Sequence, residues 1–232
     1  METFDPKLDV LPAAQRAIWN DLRPVAGLCF TLYGGTALAL YFGHRESVDF
    51  DFLSHMPMDR KSLFDALPLL NGSQVIQEER DALTVLVPVG DAEVKLSFFW
   101  RIRFGRVGDP QTTRDGVLQV ASVDDVFATK LKVLLQRAEE RYYRDIDVIL
   151  RHGHALERGL AAAKALYGPA FQPSEALKAL AYYEDGNVHA LEHGIRERLT
   201  RAAAACGALP NLSIRSEGLT FCDEPRLPRE TL

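Results

Sequence analysis

The chain lacks long apolar runs, is poor in cysteine and carries little net charge, and each shortage closes off a class of protein. No stretch approaches the ~18 consecutive apolar residues of a membrane span, so no membrane partner is expected. The N-terminus METFDPKLDVLPAAQR has no basic region followed by an apolar core, so no secretory signal is visible. Only three cysteines occur, Cys29, Cys206 and Cys222, with no pair spacing and no nearby histidine cluster. They are expected to be reduced thiols in a cytoplasmic protein. Internal repeats and low-complexity segments are also missing. A net charge of −5 does not suit a general nucleic-acid binder.

What remains is an ordinary globular composition, 47% hydrophobic and 25% charged. A length of 232 residues allows one larger domain or two small ones with a real core. The charge is uneven. Residues 95–144 hold ten Lys or Arg against six Asp or Glu, a local excess that fits a polyanionic ligand held at one place or ordinary surface variation.

Spacing along the chain predicts an α/β (α+β) protein. Leu11, Ala14, Ile18, Leu22 and Val25 recur at three and four, predicting a helix over 11–26. FTLY (30–33) reads as a buried strand, Gly34-Gly35 as a break, and 36–42 as a helix. Residues 47–53 alternate, with Val48, Phe50 and Phe52 on one face and Asp49 and Asp51 on the other. A helix over 58–70 precedes three strand-like runs, SQVIQEE, ALTVLVPV and AEVKLSFFW, the last two joined at Gly90-Asp91 as a hairpin. Residues 101–116 read as a loop and VLQVAS as one more strand. From Ser122, which caps a helix with Asp125 three residues on, the chain reads as helical: 122–140, 144–152, 156–166, 173–185 and 188–206. The tail after Gly207, with Pro210, Pro225 and Pro228, is expected to be a loosely packed extension. The division is an α/β domain over 1–121 and a helical domain over 122–232, poorly structured after about 207.

The chemistry concentrates in LYGGTALALYFGHRESVDFDF, residues 32–52. Gly34, Gly35 and Thr36 stand where a helix begins. Backbone without Cβ atoms and free N–H groups can cradle a phosphate there, or can simply turn the chain. Asp49 and Asp51 sit two apart, which points both carboxylates to one side of a strand. Such a pair suits Mg²⁺ shared with substrate phosphates, or else faces solvent harmlessly. Arg45 can neutralise a phosphate or pair with Asp49. His44 reads as an exposed loop residue, and no zinc site is expected. Lys130 falls inside the apolar stripe of its helix, so it either snorkels out or meets an anion. Asp145 can brace its helix through Arg141 at i,i+4, or face the site and hold the lysine or a metal-bound water.

GGTALAL, HRESVDFDF, ATKLKVLLQR and RDIDVIL, in this order, resemble the AbiEii/AbiGii toxin-type nucleotidyltransferase family of the DNA polymerase β-like superfamily. The resemblance spans roughly residues 28–152. It implies a mixed sheet flanked by helices, followed by a helical C-terminal domain. It also implies NTP and Mg²⁺ use and nucleotidyl transfer to an acceptor, notably tRNA, with a cognate antitoxin protein. By motif it assigns Gly34, Gly35 and Thr36 to the nucleotide, Asp49 and Asp51 to the metal and catalysis, and Lys130 and Asp145 to catalysis. One departure stands out. Where the wider superfamily has a third strand carboxylate, this chain has Ser97 in the run Lys95-Leu96-Ser97, with Glu93 two residues earlier on the same face. The expected activity is Mg²⁺-dependent nucleotidyl transfer to RNA by a toxin. Its rivals are a non-catalytic module that binds nucleotide, RNA or a partner protein, and transfer onto a protein or small molecule.

Overall fold

The computed structural model describes residues 2–222. Elements in chain order are β1 (Thr3–Phe4), α1 (Ala13–Ala17), α2 (Pro24–Gly27), β2 (Thr31–Tyr33), α3 (Gly34–Phe42), β3 (Asp49–Leu53), α4 (Arg60–Ala66), β4 (Gln74–Glu79), β5 (Ala82–Val89), β6 (Ala92–Phe99), β7 (Gln111–Thr113) and β8 (Gln119–Val120). The helical part follows as α5 (Val123–Leu134), α6 (Glu140–Arg151), α7 (Leu156–Tyr167), α8 (Pro173–Leu180) and α9 (His193–Ala205). Among the described residues the strands form one mixed sheet of order β1-β7-β8-β2-β3-β6-β5-β4. None of the described helices is long and apolar enough to cross a membrane.

Strand β3 lies near the middle of that sheet. It pairs antiparallel with β2, placing Tyr33 opposite Asp51, and parallel with β6, placing Asp49 beside Lys95 and Asp51 beside Ser97. Phe50 and Phe52 are fully buried and stack on the core side, so the two-residue period sends both aspartates to the other face. Val48 does not join them: it precedes the strand and is 60% exposed, because the alternation it was read into begins only at Asp49.

Elsewhere the predicted helices are interrupted. The span 11–26 breaks into α1, a 3₁₀ turn at Trp19–Leu22 and α2, which restarts at Pro24. Proline has no N–H to continue a helix but is well placed to open one. The predicted apolar stripe still holds, since Leu11, Ile18, Leu22 and Val25 are buried. Helix α4 likewise stops before Pro68. Helix α5 ends at Leu134, and α6 starts at Glu140, earlier than expected, because the Asn187 side chain accepts a hydrogen bond from the Glu140 amide at 2.8 Å. The span 188–206 divides into a 3₁₀ turn at Val188–Ala190 and α9. The expected capping of α5 is present: Ser122 Oγ accepts from the Asp125 amide at 3.1 Å and donates to its carboxylate at 2.6 Å.

The segment 101–116 is not all loop, for β7 pairs with β1 and β8. Among the described residues, the chain after Gly207 has little regular structure but is packed over 216–222. Arg106 pairs with Ser216 through the backbone, and Leu219 is fully buried. Thr220 donates to Gln119 at 2.7 Å, and Cys222 is disulfide-bonded to Cys29. The expectation of three reduced thiols fails for this pair, which is 193 residues apart in sequence and adjacent in space; Cys206 is free. Pro225 and Pro228 lie outside the described residues.

Candidate active site

The turn from β2 into α3 sets the geometry. Gly34 adopts φ +76°, and a Cβ there would stand 2.4 Å from Asp51 Oδ2. A Cβ on Gly35 would stand 2.6 Å from Arg45 Nη2 and 3.0 Å from Ser47 Oγ. Gly34 is required by its left-handed backbone and by Asp51, whereas a side chain at Gly35 would have to displace the end of Arg45. Thr36 is fully buried and turned inward. Its hydroxyl lies 2.9 Å from Ser47 Oγ and also bonds the Asp49 carbonyl, so it braces β3 rather than facing the cleft.

Asp49 and Asp51 line a cleft of about 270 Å³ together with Gly35, Arg45, Glu46, Ser47, Lys95 and Lys130. Arg137, Arg141 and Tyr142 also line it. Four members of the basic segment, Lys95, Lys130, Arg137 and Arg141, thus gather at one place. Burial first, and the neighbouring Asp49 carboxylate second, push the Asp51 carboxyl above its ordinary range; Lys130 and Lys95 partly offset this. Lys95 Nζ stands 3.5 Å from Asp49 Oδ2.

Asp145 is fully buried behind this cleft and collects three basic groups. Arg45 donates to it twice, from Nε at 2.7 Å and Nη2 at 2.9 Å. Lys130 Nζ lies at 2.7 Å and His44 Nε2 at 2.9 Å. Burial alone would raise this carboxyl, but Lys130, His44 and Arg45 together hold it well below the usual carboxylate range. Arg45 therefore pairs with Asp145 and not with Asp49. His44, expected in an exposed loop, is a partner of that buried acid, because a residue 101 positions away in sequence reaches it. Arg141 turns instead to Glu139 at 2.7 Å and leaves Asp145 to Arg45, Lys130 and His44. Lys130 also lies 5.2 Å from the Tyr142 ring centre.

Ser97 occupies the strand position beside Asp51, is buried, and lies 3.5 Å from Thr84 Oγ1. Glu93 is exposed, opposite Pro88, and is not part of the cleft lining. Among the described residues no group of three or more His, Cys, Asp or Glu stands close enough to share a metal ion. Of the three carboxylates that line the cleft, Glu46 is exposed before the strand, while Asp49 and Asp51 share one face of β3. A closely spaced, partly desolvated acid pair beside open volume fits a divalent cation completed by ligand oxygens. Sequence reasoning did not give Glu46, Ser47, Arg137, Arg141 or Tyr142 a place in the cleft; for Lys95 the two-residue period from Ser97 was an available signal.

A mixed sheet with an acid pair on a central strand, a glycine turn beside it and helices closing the cleft is a nucleotidyltransferase-type architecture. A crystal structure of an H. pylori protein assigned to the nucleotidyltransferases superposes with a TM-score of 0.55 at 17% identity, covering 82% of this chain and 92% of its own. MenT4 (Rv2826c), a nucleotidyltransferase toxin from Mycobacterium tuberculosis H37Rv, gives 0.55 at 12% identity, covering 83% of each chain. The family described as nucleotidyl transferase AbiEii toxin, type IV TA system, matches residues 18–206, and the chain belongs to it. The uncharacterised protein aq_aa25 of Aquifex aeolicus (strain VF5) is 29% identical over 171 residues, 72% of this chain and 80% of that one.

Proposed function

We propose that the protein is a Mg²⁺-dependent nucleotidyltransferase that moves an NMP from an NTP onto an acceptor hydroxyl, with RNA as the acceptor. It would act as the toxin partner of an antitoxin protein. The observation that carries this reading is the Asp49–Asp51 pair, which faces a cleft rimmed by Lys95, Lys130, Arg137 and Arg141. Family membership supports transfer and the toxin role. A cation held by Asp49 and Asp51 would supply charge stabilisation to the phosphates.

The chain's own groups do the rest. The first N–H groups of α3 and the basic rim hold the triphosphate. Asp51, at the junction of the clefts, orients the acceptor hydroxyl and takes its proton. The acceptor oxygen bonds to the α-phosphorus, the bond to the β-phosphate's bridging oxygen breaks, and pyrophosphate leaves. Lys130, held by Asp145, neutralises charge on the phosphates as it shifts. In this reading Arg45 and Asp145 position Lys130, and Thr36 positions β3.

Purified protein with Mg²⁺ and labelled NTPs is expected to label RNA. Asp49→Ala and Asp51→Ala are each expected to reduce labelling at least ~100-fold. Full labelling by both variants would defeat the assignment. Ser97 beside Asp51 favours one second reading, a module that binds nucleotide without transferring it. A thermal shift with NTP and Mg²⁺ but no product on any acceptor RNA would select that alternative.

A further inference from the structure

A second cleft, of about 440 Å³, also reaches Asp51. It shares Asp51, Lys130, Arg137 and Tyr142 with the first, but its character is different. Tyr33, Ile102, Phe104, Val133 and Tyr167 give it apolar and aromatic walls, and Gln136 stands at its edge. Phe104 packs against Tyr33 at 6.3 Å and Tyr167 at 5.4 Å between ring centres, so the aromatic wall is continuous.

The wall is also held in place. The Ile102 amide donates to Ser54 at 3.0 Å, and the Arg106 amide donates to Ser216 at 2.8 Å. The Val107 amide donates to the buried Asp125 carboxylate at 2.7 Å. The segment carrying Ile102 and Phe104 is thus fixed at both ends and preorganised for a ligand.

We infer that this aromatic cleft holds the nucleobase of the NTP whose triphosphate lies in the basic cleft. The inference rests on the transfer reading above and adds to it where the base goes. An NTP is polar and anionic on one side of its α-phosphate and flat and weakly polar on the other. The two clefts divide the same way, and Asp51 stands at their junction, where the α-phosphorus reacts. A base would lie against Phe104 and Tyr167, as nucleobases do on aromatic side chains. The Gln136 amide, both donor and acceptor, is placed to read its polar edge. The acceptor then enters over the open rim at Asp49.

Calorimetric titration of the full chain in Mg²⁺ tests this, with each of the four NTPs and with inorganic tripolyphosphate as ligands. Phe104→Ala is expected to weaken NTP binding at least ~10-fold while tripolyphosphate binding stays as in the wild type, which also shows the variant to be folded. Phe104→Leu, which keeps apolar volume, should fall between. Gln136→Ala, at an exposed position, should change the preference among the four NTPs. NTP affinities unchanged in Phe104→Ala and Gln136→Ala would overturn the inference and leave the cleft to the acceptor. Failure of the wild type to bind either tripolyphosphate or any NTP would instead bring down the transfer reading itself.

Discussion

Asp51 and Asp145 are the same residue in opposite surroundings. Asp51 stands at the meeting of two clefts with another carboxylate two residues away, and its carboxyl is pushed up by burial and by Asp49. Asp145 lies wholly inside the protein with Arg45, Lys130 and His44 upon it, and its carboxyl is held down. The first is under-neutralised and has room beside it, which is what a site for a cation and an anionic substrate needs. The second is over-neutralised and closed, which makes it an anchor: it fixes Lys130 so that the lysine reaches the cleft without wandering.

The comparison can be tested through folding stability. Asp145→Asn should have the largest effect, about 3–5 kcal/mol of destabilisation in urea, because it leaves the Lys130 and Arg45 cations, 8% and 21% exposed, without their counterion. A loss under about 1 kcal/mol would show that those cations find other partners. The pH dependence follows with the same sign. A carboxyl lowered on folding contributes stability that is present above its unfolded pKa of about 4 and is lost as pH falls toward the lower folded value. Asp145→Asn should therefore flatten the acid side of the wild-type stability curve.

Gly34→Ala comes next, at about 1–3 kcal/mol, since the new Cβ must adopt φ +76° and stand against Asp51 Oδ2. A crystal structure of a fully stable variant with Asp51 undisplaced would contradict the close-packing argument. Asp51→Asn should have the smallest effect, within about 1 kcal/mol and in the stabilising direction, because it removes one of two like charges. A marked loss of stability there would mean that Asp51, too, is structural.

Much of this was legible from short-range pattern. The β5–β6 hairpin, the capped start of α5 and the shared face of Asp49 and Asp51 all depend on spacings of two to four residues or on one turn. So did the oddity of Lys130, whose position in an apolar stripe left it either to snorkel out or to meet an anion. The rest depends on distant chain segments meeting. His44 reaches Asp145 across 101 positions, the α6 start is capped by Asn187 across 47, and Cys29 meets Cys222 across 193. No local rule reports such meetings. Nor does composition distinguish Arg137 and Arg141, which line the cleft, from Arg144, which pairs with Glu140 and Glu192.

The link between Cys29 and Cys222 turns most of the polypeptide into a closed ring. In the chain-entropy picture, tying a loop of that length is worth about 5 kcal/mol to the native state. A protease that nicks one surface loop between the two sulfurs opens the ring without dividing the molecule. The nicked protein should run as a single band on a denaturing gel until a reducing agent is added, and as two bands afterwards.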